Sequence, residues 1–121
     1  MSELEEFLVI LKKLLLEDLP IVVEGRKDKA ILRRLGVKTE IIEIAGIARS
    51  VLIDKLKNYR EIIILTDFDE EGKILMKDIR YLLENNGVRV NDVYWKKFSK
   101  FSSTVEGLKK FVKEVDKIWV P

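Results

Sequence analysis

The chain of 121 residues contains no cysteine, no histidine and no glutamine. Without cysteine, disulfides, thiolate catalysis and zinc–sulfur sites are excluded, and without histidine a Ser-His catalytic pair is excluded. Any metal site must therefore be built from oxygen ligands, which favours Mg²⁺, Mn²⁺ or Ca²⁺. The absence of glutamine beside abundant lysine, glutamate and isoleucine fits a thermophile.

Long apolar runs are also missing. None exceeds five residues, so we expect no membrane-spanning segment. The acidic start at residues 1–6 lacks the basic region of a signal peptide, so we expect a cytoplasmic protein. With 47% apolar residues the chain can build one core, and we expect residues 1–121 to form a single domain.

The spacing of apolar residues predicts alternating helices and strands. The predicted helices lie at residues 3–17 (in an N-terminal segment, 1–19), 28–35, 47–57, 70–84 and 105–119, the last beginning with a capping box of Ser103 and Glu106. The predicted strands lie at residues 21–24, 40–44, 61–65 and, with a weaker pattern, 88–94. This alternation predicts an α/β fold, with a parallel sheet covered by helices on both faces.

Acidic residues end two of the predicted strands. Glu24 ends the first strand, and Asp67 and Asp69 follow the third. These carboxylates can meet only if the two strands are neighbours, which predicts the sheet order 2-1-3-4 with a ligand site at its switch point. Clustered carboxylates repel one another, raise the pKa of Glu24 and invite a divalent cation, so the pattern indicates metal-assisted phosphate chemistry.

Each acidic or glycine position in these motifs also has a purely structural interpretation. Asp69 is a good N-cap for the helix from residue 70, and Glu71 favours the helix dipole. Gly72, early in that helix, indicates either a close approach to metal or phosphate or a loose helix start. Asp28 is best explained as a first-turn helix charge, with a salt bridge or a place in the site as alternatives.

Charge is unevenly distributed along the chain. Residues 1–19 carry five acids against two lysines, and residues 95–121 carry seven lysines against three acids. The basic end is interpreted equally well as a surface for a polyanion or as a solvated helix face. Two aromatic residues, Phe98 and Phe101, lie among Lys96, Lys97 and Lys100; they could stack on nucleobases, but core packing is the favoured interpretation.

Two motifs resemble the Toprim family of topoisomerases, bacterial-type primases and related nucleases. Residues 23–32 (VEGRKDKAIL) are similar to the family block V-E-G-x-x-D-x-x-A-L, and residues 66–72 (TDFDEEG) to T-D-x-D-x-x-G. Gly46 resembles the glycine after the family's second strand. The resemblance covers residues 20–111 and implies a Toprim (Rossmann-like) three-layer sandwich.

By this resemblance Glu24 is a general acid or base, and Asp67 and Asp69 bind Mg²⁺, with Mn²⁺ as an alternative. Lys73 stands where many members have glutamate, and Glu71 or Glu106 could replace that ligand. The resemblance implies a metal-dependent nuclease acting on nucleic acid, RNA favoured over DNA; the alternative is a non-catalytic binding or scaffold module in a larger complex. The expected supporting residues are Gly25, Asp28 and Gly72, and the expected nucleic-acid contacts are Lys27, Lys73, Lys96, Lys97 and Lys100.

Overall fold

A computed structural model describes residues 1–118 of the chain. Helices and strands alternate through most of its length. In chain order they are α1 (Glu3–Leu16), β1 (Ile21–Val23), α2 (Arg26–Arg34), β2 (Ile41–Glu43), α3 (Arg49–Leu56), β3 (Glu61–Leu65), α4 (Glu70–Glu84), β4 (Arg89–Asn91), α5 (Val93–Phe98), a 3₁₀ helix (Glu106–Phe111) and α6 (Val112–Ile118). From residue 3 to residue 84 the predicted boundaries agree with these to within two residues.

The four strands form one parallel sheet in the order β2-β1-β3-β4, which confirms the predicted topology. Ile21 of β1 pairs with Ile41 on one side and Ile63 on the other. Residues 62–65 of β3 have no exposed surface, as expected of a strand covered on both faces. Right-handed crossovers in this order place α2 on one face and α3 with α4 on the other, and α3 does contact α4.

Local hydrogen bonds explain where the first two helices begin and end. Ser2 and Glu5 form a reciprocal capping box at the start of α1. At the end of α2, Gly36 adopts a φ of 106° and donates its N–H to the carbonyl of Arg33. Glycine tolerates this left-handed conformation, and the turn directs the chain towards β2.

The predicted fourth strand, residues 88–94, is wrong in its second half. Only Arg89–Asn91 pair with β3, and the chain turns directly into α5. The Val93 N–H donates to Asn91 Oδ1 at 3.0 Å, which closes the turn. The helix buries Tyr94, Trp95 and Phe98, so tertiary packing overrides the strand preference of this aromatic segment.

The predicted last helix, residues 105–119, is also only partly correct. A 3₁₀ helix comes first and α6 begins only at Val112. The predicted capping box of Ser103 and Glu106 does not form; instead the Gly107 N–H donates to Thr104 Oγ1 at 2.9 Å. Trp119, the end of the predicted helix, lies outside the described residues.

Phenylalanine side chains join α1 to the C-terminal part of the fold. Phe7 stacks on Phe111 with ring centroids 4.0 Å apart and contacts Phe98 and Phe101 at 5.6 and 5.5 Å. Phe98 and Phe101 are buried, which confirms the core interpretation over nucleobase stacking. None of the helices formed within residues 1–118 combines the length and apolarity that crossing a bilayer requires.

Candidate functional site

The ends of β1 and β3 bring Glu24 and Asp67 into direct contact. Val23 and Leu65 pair in register, so the residues that follow them leave the sheet at the same edge. The Asp67 N–H donates to Glu24 Oε2 at 2.6 Å. The two acidic motifs, 43 positions apart in the chain, therefore form one site at the predicted switch point.

Backbone donors fix one oxygen of the Asp67 carboxylate and one oxygen of the Asp69 carboxylate. Asp67 Oδ1 accepts the Val105 N–H at 3.0 Å, and Asp69 Oδ1 accepts the Gly72 N–H at 2.7 Å. Asp69 is thus the N-cap of α4, as its structural interpretation predicted. In each case the second carboxylate oxygen is the one that can face a ligand.

Burial and like charge act together on two carboxyl groups of the site. Burial is the main factor that raises the pKa of Glu24, and the charges of Asp67, Asp69 and Glu71 raise it further, against the hydrogen bond from Asp67. Burial also raises the pKa of Asp28 to about 6, assisted by the charges of Asp67 and Glu24 and opposed by the hydrogen bond from Gly25. Both groups therefore hold protons more strongly than ordinary carboxyls do.

Asp28 has a structural role inside the site. It is buried, and its Oδ2 accepts the Gly25 N–H at 3.1 Å, which closes the start of α2. Two of its predicted roles therefore coincide, since it is a first-turn helix residue that also lies among the site's acids. Glu106 lies at the margin: it pairs with Lys109 at 3.6 Å, and its charge contributes to the raised pKa of Asp28.

Gly72 is required by the contact between α4 and the loop before it. A Cβ atom at this position would lie 1.9 Å from the backbone oxygen of Asp67. The buried hydroxyl of Thr66 donates to the Gly72 carbonyl at 2.7 Å and holds the same contact from the strand side. Gly72 therefore closely approaches the protein's own backbone. The predicted explanations, a close approach to metal or phosphate or a loose helix start, are wrong.

Three further residues hold the loop of Asp67 and were not predicted. The Trp95 indole N–H donates to the Asp67 carbonyl at 3.2 Å. The Ser103 carbonyl accepts the Phe68 N–H at 2.9 Å, and Val105 donates to the Asp67 carboxylate as described above. Ser103 and Val105 make their contacts through main-chain atoms, which every residue has, so their side chains could not have revealed these roles. Of the three residues, only Trp95 contacts the loop through a side chain that the sequence shows.

The predicted basic contacts fall into two groups. Lys27 and Lys73 are exposed on the first turns of α2 and α4, which begin at the acidic edge. On α5 and the turn after it, Lys96 pairs with Asp92 at 3.4 Å and Lys100 pairs with Glu6 of α1 at 3.3 Å, while Lys97 is exposed. The acidic first helix therefore lies beside these lysines, whose contact with nucleic acid stays a prediction.

The donor set fits a hard divalent cation by its chemistry, since all the candidate ligands are carboxylate oxygens. As they stand, no three carboxylates within residues 1–118 converge closely enough to hold an ion. Asp69 and Glu71 are exposed at the first turn of α4, and Glu71 forms no ion pair within the same residues. The Glu71 side chain is therefore the one that would turn towards an ion near Asp67, and Asp69 would offer the oxygen that does not cap α4.

Fold and site together define a class: doubly wound α/β proteins that carry a carboxylate site at the switch point of the sheet. The Toprim domain matches residues 20–94. The chain belongs to the Toprim family, a family of metal-binding, nucleic-acid-processing domains that generally bind Mg²⁺ through acidic residues. The family resemblance seen in the sequence is thereby confirmed for residues 20–94, and its predicted extension to residue 111 lies beyond the match.

Several relatives are proteins named UPF0292. That of Methanocaldococcus jannaschii is 37% identical over 91 residues, which cover 72% of this chain and 71% of the relative. That of Thermoplasma volcanium is 42% identical over 104 residues, which cover 82% of this chain and 87% of the relative. A solved structure of an Aquifex aeolicus protein has the same fold, with a TM-score of 0.74 and 24% identity over 81% of this chain and 94% of its own.

Proposed function

We propose that this Toprim protein is a Mg²⁺-dependent phosphodiester hydrolase that acts on RNA or DNA. The observation that carries the proposal is the contact between Glu24 and the Asp67 loop at 2.6 Å, in a cluster of acids that form no ion pair within residues 1–118. Like charges held close together are unfavourable unless a cation neutralises them. A cluster kept in this state is best explained as a cation site.

The residues divide into an ion-binding group and a proton-transferring group. Asp67 and Asp69, joined by Glu71, would hold Mg²⁺ or Mn²⁺. The ion, when bound, supplies positive charge to a phosphate oxygen of the substrate. Glu24, whose pKa is raised and whose carboxylate is oriented by the Asp67 N–H, takes the proton of the attacking water or gives one to the leaving oxygen.

Basic side chains flank the acids on the two helices that begin at this edge. Lys27 and Lys73 are exposed there and can contact phosphates on either side of the scissile bond. The basic α5 and the turn after it, with Lys96, Lys97 and Lys100, provide a second surface for the polymer. The protein would thus hold the polymer by its backbone, which suits binding without strict sequence preference.

One observation favours a second candidate function, a non-catalytic nucleic-acid-binding or scaffold module. Lys73 stands where many Toprim domains have glutamate, and no three carboxylates within residues 1–118 already converge on an ion position. In that case the cluster would bind an ion weakly or for structural reasons. A partner protein or RNA would then supply the activity of the complex.

Thermal unfolding tests the ion-binding residues. Mg²⁺ should raise the melting temperature of the wild type, because it binds the folded site and relieves carboxylate repulsion. Asp67→Asn with Asp69→Asn should abolish the shift, because it removes the two negative charges that bind the ion. The variant should keep its fold, since both amides can still accept the Val105 and Gly72 N–H groups. The matched control is Asp78→Asn with Glu84→Gln, which removes two charges from exposed positions on α4 and should keep the shift. An equal shift in all three proteins would place the ion elsewhere.

Incubation with panels of labelled RNA and DNA separates the two candidate functions. The hydrolase should cut in Mg²⁺ or Mn²⁺, stop in EDTA and lose cutting in Glu24→Gln. Retention of the polymer without cutting in any metal would contradict the hydrolase and favour the binding module.

A further inference from the structure

We propose that three residues beyond the matched Toprim region position the metal-binding loop, and we call Trp95, Ser103 and Val105 the clamp. The inference rests on the proposed function, because the loop concerned carries Asp67 and Asp69. The family match ends at residue 94, so all three clamp residues lie outside it. The clamp would thus be a part of the ion site that lies outside the two family motifs.

The clamp forms hydrogen bonds with three polar groups of the loop, which are the Asp67 carboxylate, the Asp67 carbonyl and the Phe68 N–H. Val105 donates its N–H to the Asp67 carboxylate at 3.0 Å, and Trp95 donates its indole N–H to the Asp67 carbonyl at 3.2 Å. Ser103 accepts the Phe68 N–H at 2.9 Å. Since Glu24 accepts the Asp67 N–H, both peptide groups that flank Asp67 are hydrogen-bonded to other parts of the chain.

Burial gives these contacts the rigidity that a positioning role needs. Val105 is fully buried and Trp95 is 8% exposed. The Trp95 ring also meets Phe68 edge to face, with centroids 5.8 Å apart. Hydrogen bonds that are partly shielded from water are stronger than exposed ones, and the one from Val105 restricts the orientation of the Asp67 carboxylate.

Hydrogen bonds to metal ligands typically control affinity. Removing one outer partner of a ligand usually weakens metal binding by about 10- to 100-fold. Val105 is such a partner of the Asp67 carboxylate, whereas Trp95 holds the Asp67 carbonyl and therefore acts on the carboxylate through the loop. Loss of either should therefore weaken Mg²⁺ binding, although neither Val105 nor Trp95 can itself ligate Mg²⁺.

A proline at position 105 removes the carboxylate's partner directly. Val105 has a φ of −63°, a value that proline adopts without strain. Val105→Pro should therefore weaken Mg²⁺ binding by about 10-fold or more, measured by calorimetric titration. The matched control, Val105→Ala, trims the same buried side chain but keeps the N–H, so it should lose less Mg²⁺ affinity than Val105→Pro. Circular dichroism and urea unfolding in EDTA check that each variant folds.

Trp95→Phe provides a second test that does not alter the backbone. It keeps an aromatic ring beside Phe68 but removes the donor to the Asp67 carbonyl, together with part of the buried indole volume. This variant should also weaken Mg²⁺ binding by about 10-fold. If Val105→Pro does not fold, the Trp95→Phe result decides the question.

Tryptophan fluorescence reports the coupling independently of affinity. The chain has two tryptophans, so Trp119→Phe leaves Trp95 as the only emitter. Mg²⁺ should then change the Trp95 emission in a saturable way, and Asp67→Asn with Asp69→Asn should remove the change.

The outcomes separate the clamp from the function on which it rests. If the wild type binds Mg²⁺ and folded Val105→Pro and Trp95→Phe bind it equally well, the clamp is overturned and the proposed function stands. If the wild type shows no Mg²⁺ binding, the ion site fails and the clamp fails with it. Weaker binding in Val105→Pro than in Val105→Ala supports the clamp.

Discussion

At the carboxyl edge of the sheet, acidic side chains lie together without basic partners, whereas the lysines that follow β4 are mostly paired. No ion pair within residues 1–118 involves the edge acids, which are Glu24, Asp28, Asp67, Asp69 and Glu71. Five lysines in residues 95–118 each lie within 4 Å of a carboxylate, namely Lys96, Lys100, Lys109, Lys110 and Lys117. The chain thus leaves charge uncompensated in one region and compensates it in the other.

The two regions differ as candidate binding sites because their charges are compensated to different degrees. Exposed ion pairs contribute little to stability, but they reduce the field that a lysine presents to a polyanion. The edge acids have no such compensation, and two of them have raised pKa values. The acidic edge is therefore the better candidate for binding a ligand of opposite charge, and the basic surface is the poorer candidate.

The largest expected effect comes from breaking the backbone contact that holds the edge together. Gly72→Ala would place a methyl group 1.9 Å from the Asp67 carbonyl oxygen, so α4 or the loop must move. We expect urea unfolding to show a loss of about 3 kcal/mol or more. Gly25→Ala is the matched control: no heavy atom lies within 4 Å of its Cβ, and the expected loss is about 1 kcal/mol or less. Equal losses in the two variants would show that the helix start shifts freely.

A smaller effect should appear in the pH dependence of stability without metal. Because its folded pKa is raised to about 6, Asp28 stabilises the fold when protonated, and this contribution is lost as the pH rises from about 4 through 6. Asp28→Asn keeps an acceptor for the Gly25 N–H but does not titrate. The stability of the variant relative to the wild type should therefore rise by on the order of 1 kcal/mol between pH 4 and pH 7. Parallel stability curves, measured by urea unfolding in EDTA, would contradict an uncompensated charge at Asp28.

The smallest effect distinguishes the two groups of lysines by the salt dependence of nucleic-acid binding. Lys27→Ala with Lys73→Ala should lower the slope of log K against log salt by about 1.5, since each phosphate contact contributes about 0.7 to 0.9. Removing Lys96, Lys97 and Lys100 should weaken binding by less, because two of them are paired with carboxylates. Fluorescence anisotropy in EDTA measures both slopes without cutting. A larger change for the second group would reverse the ranking of the two regions.

Much of the fold could be predicted because short segments of the sequence indicate their own secondary structure. The aliphatic run of β3 predicted a strand buried on both faces, and the need for Glu24 to meet Asp67 predicted that β1 and β3 are neighbours. The turn into α5 could not be predicted in the same way. Alternating apolar residues with aromatic side chains favour a strand, and only the burial of Tyr94 and Trp95 against the rest of the fold makes this segment a helix.

The candidate site could likewise be predicted only in part from the sequence. Its acids are recognisable because they follow two buried strands and occur in two family motifs. The contact of Val105 with Asp67 spans 38 positions and uses a backbone N–H, so no residue type marks it. The place of Asp28 also depends on burial, which a first-turn acidic residue does not reveal.

The lengths of the outer strands have a consequence for how the protein behaves at high concentration. β2 and β4 lie at the two edges of the sheet and are each three residues long. Short edges, one of them beginning with the exposed Arg89, offer few backbone groups to a strand from another molecule. We therefore expect concentrated solutions to resist strand-to-strand aggregation, even though β1 and β3 between these edges are almost wholly aliphatic.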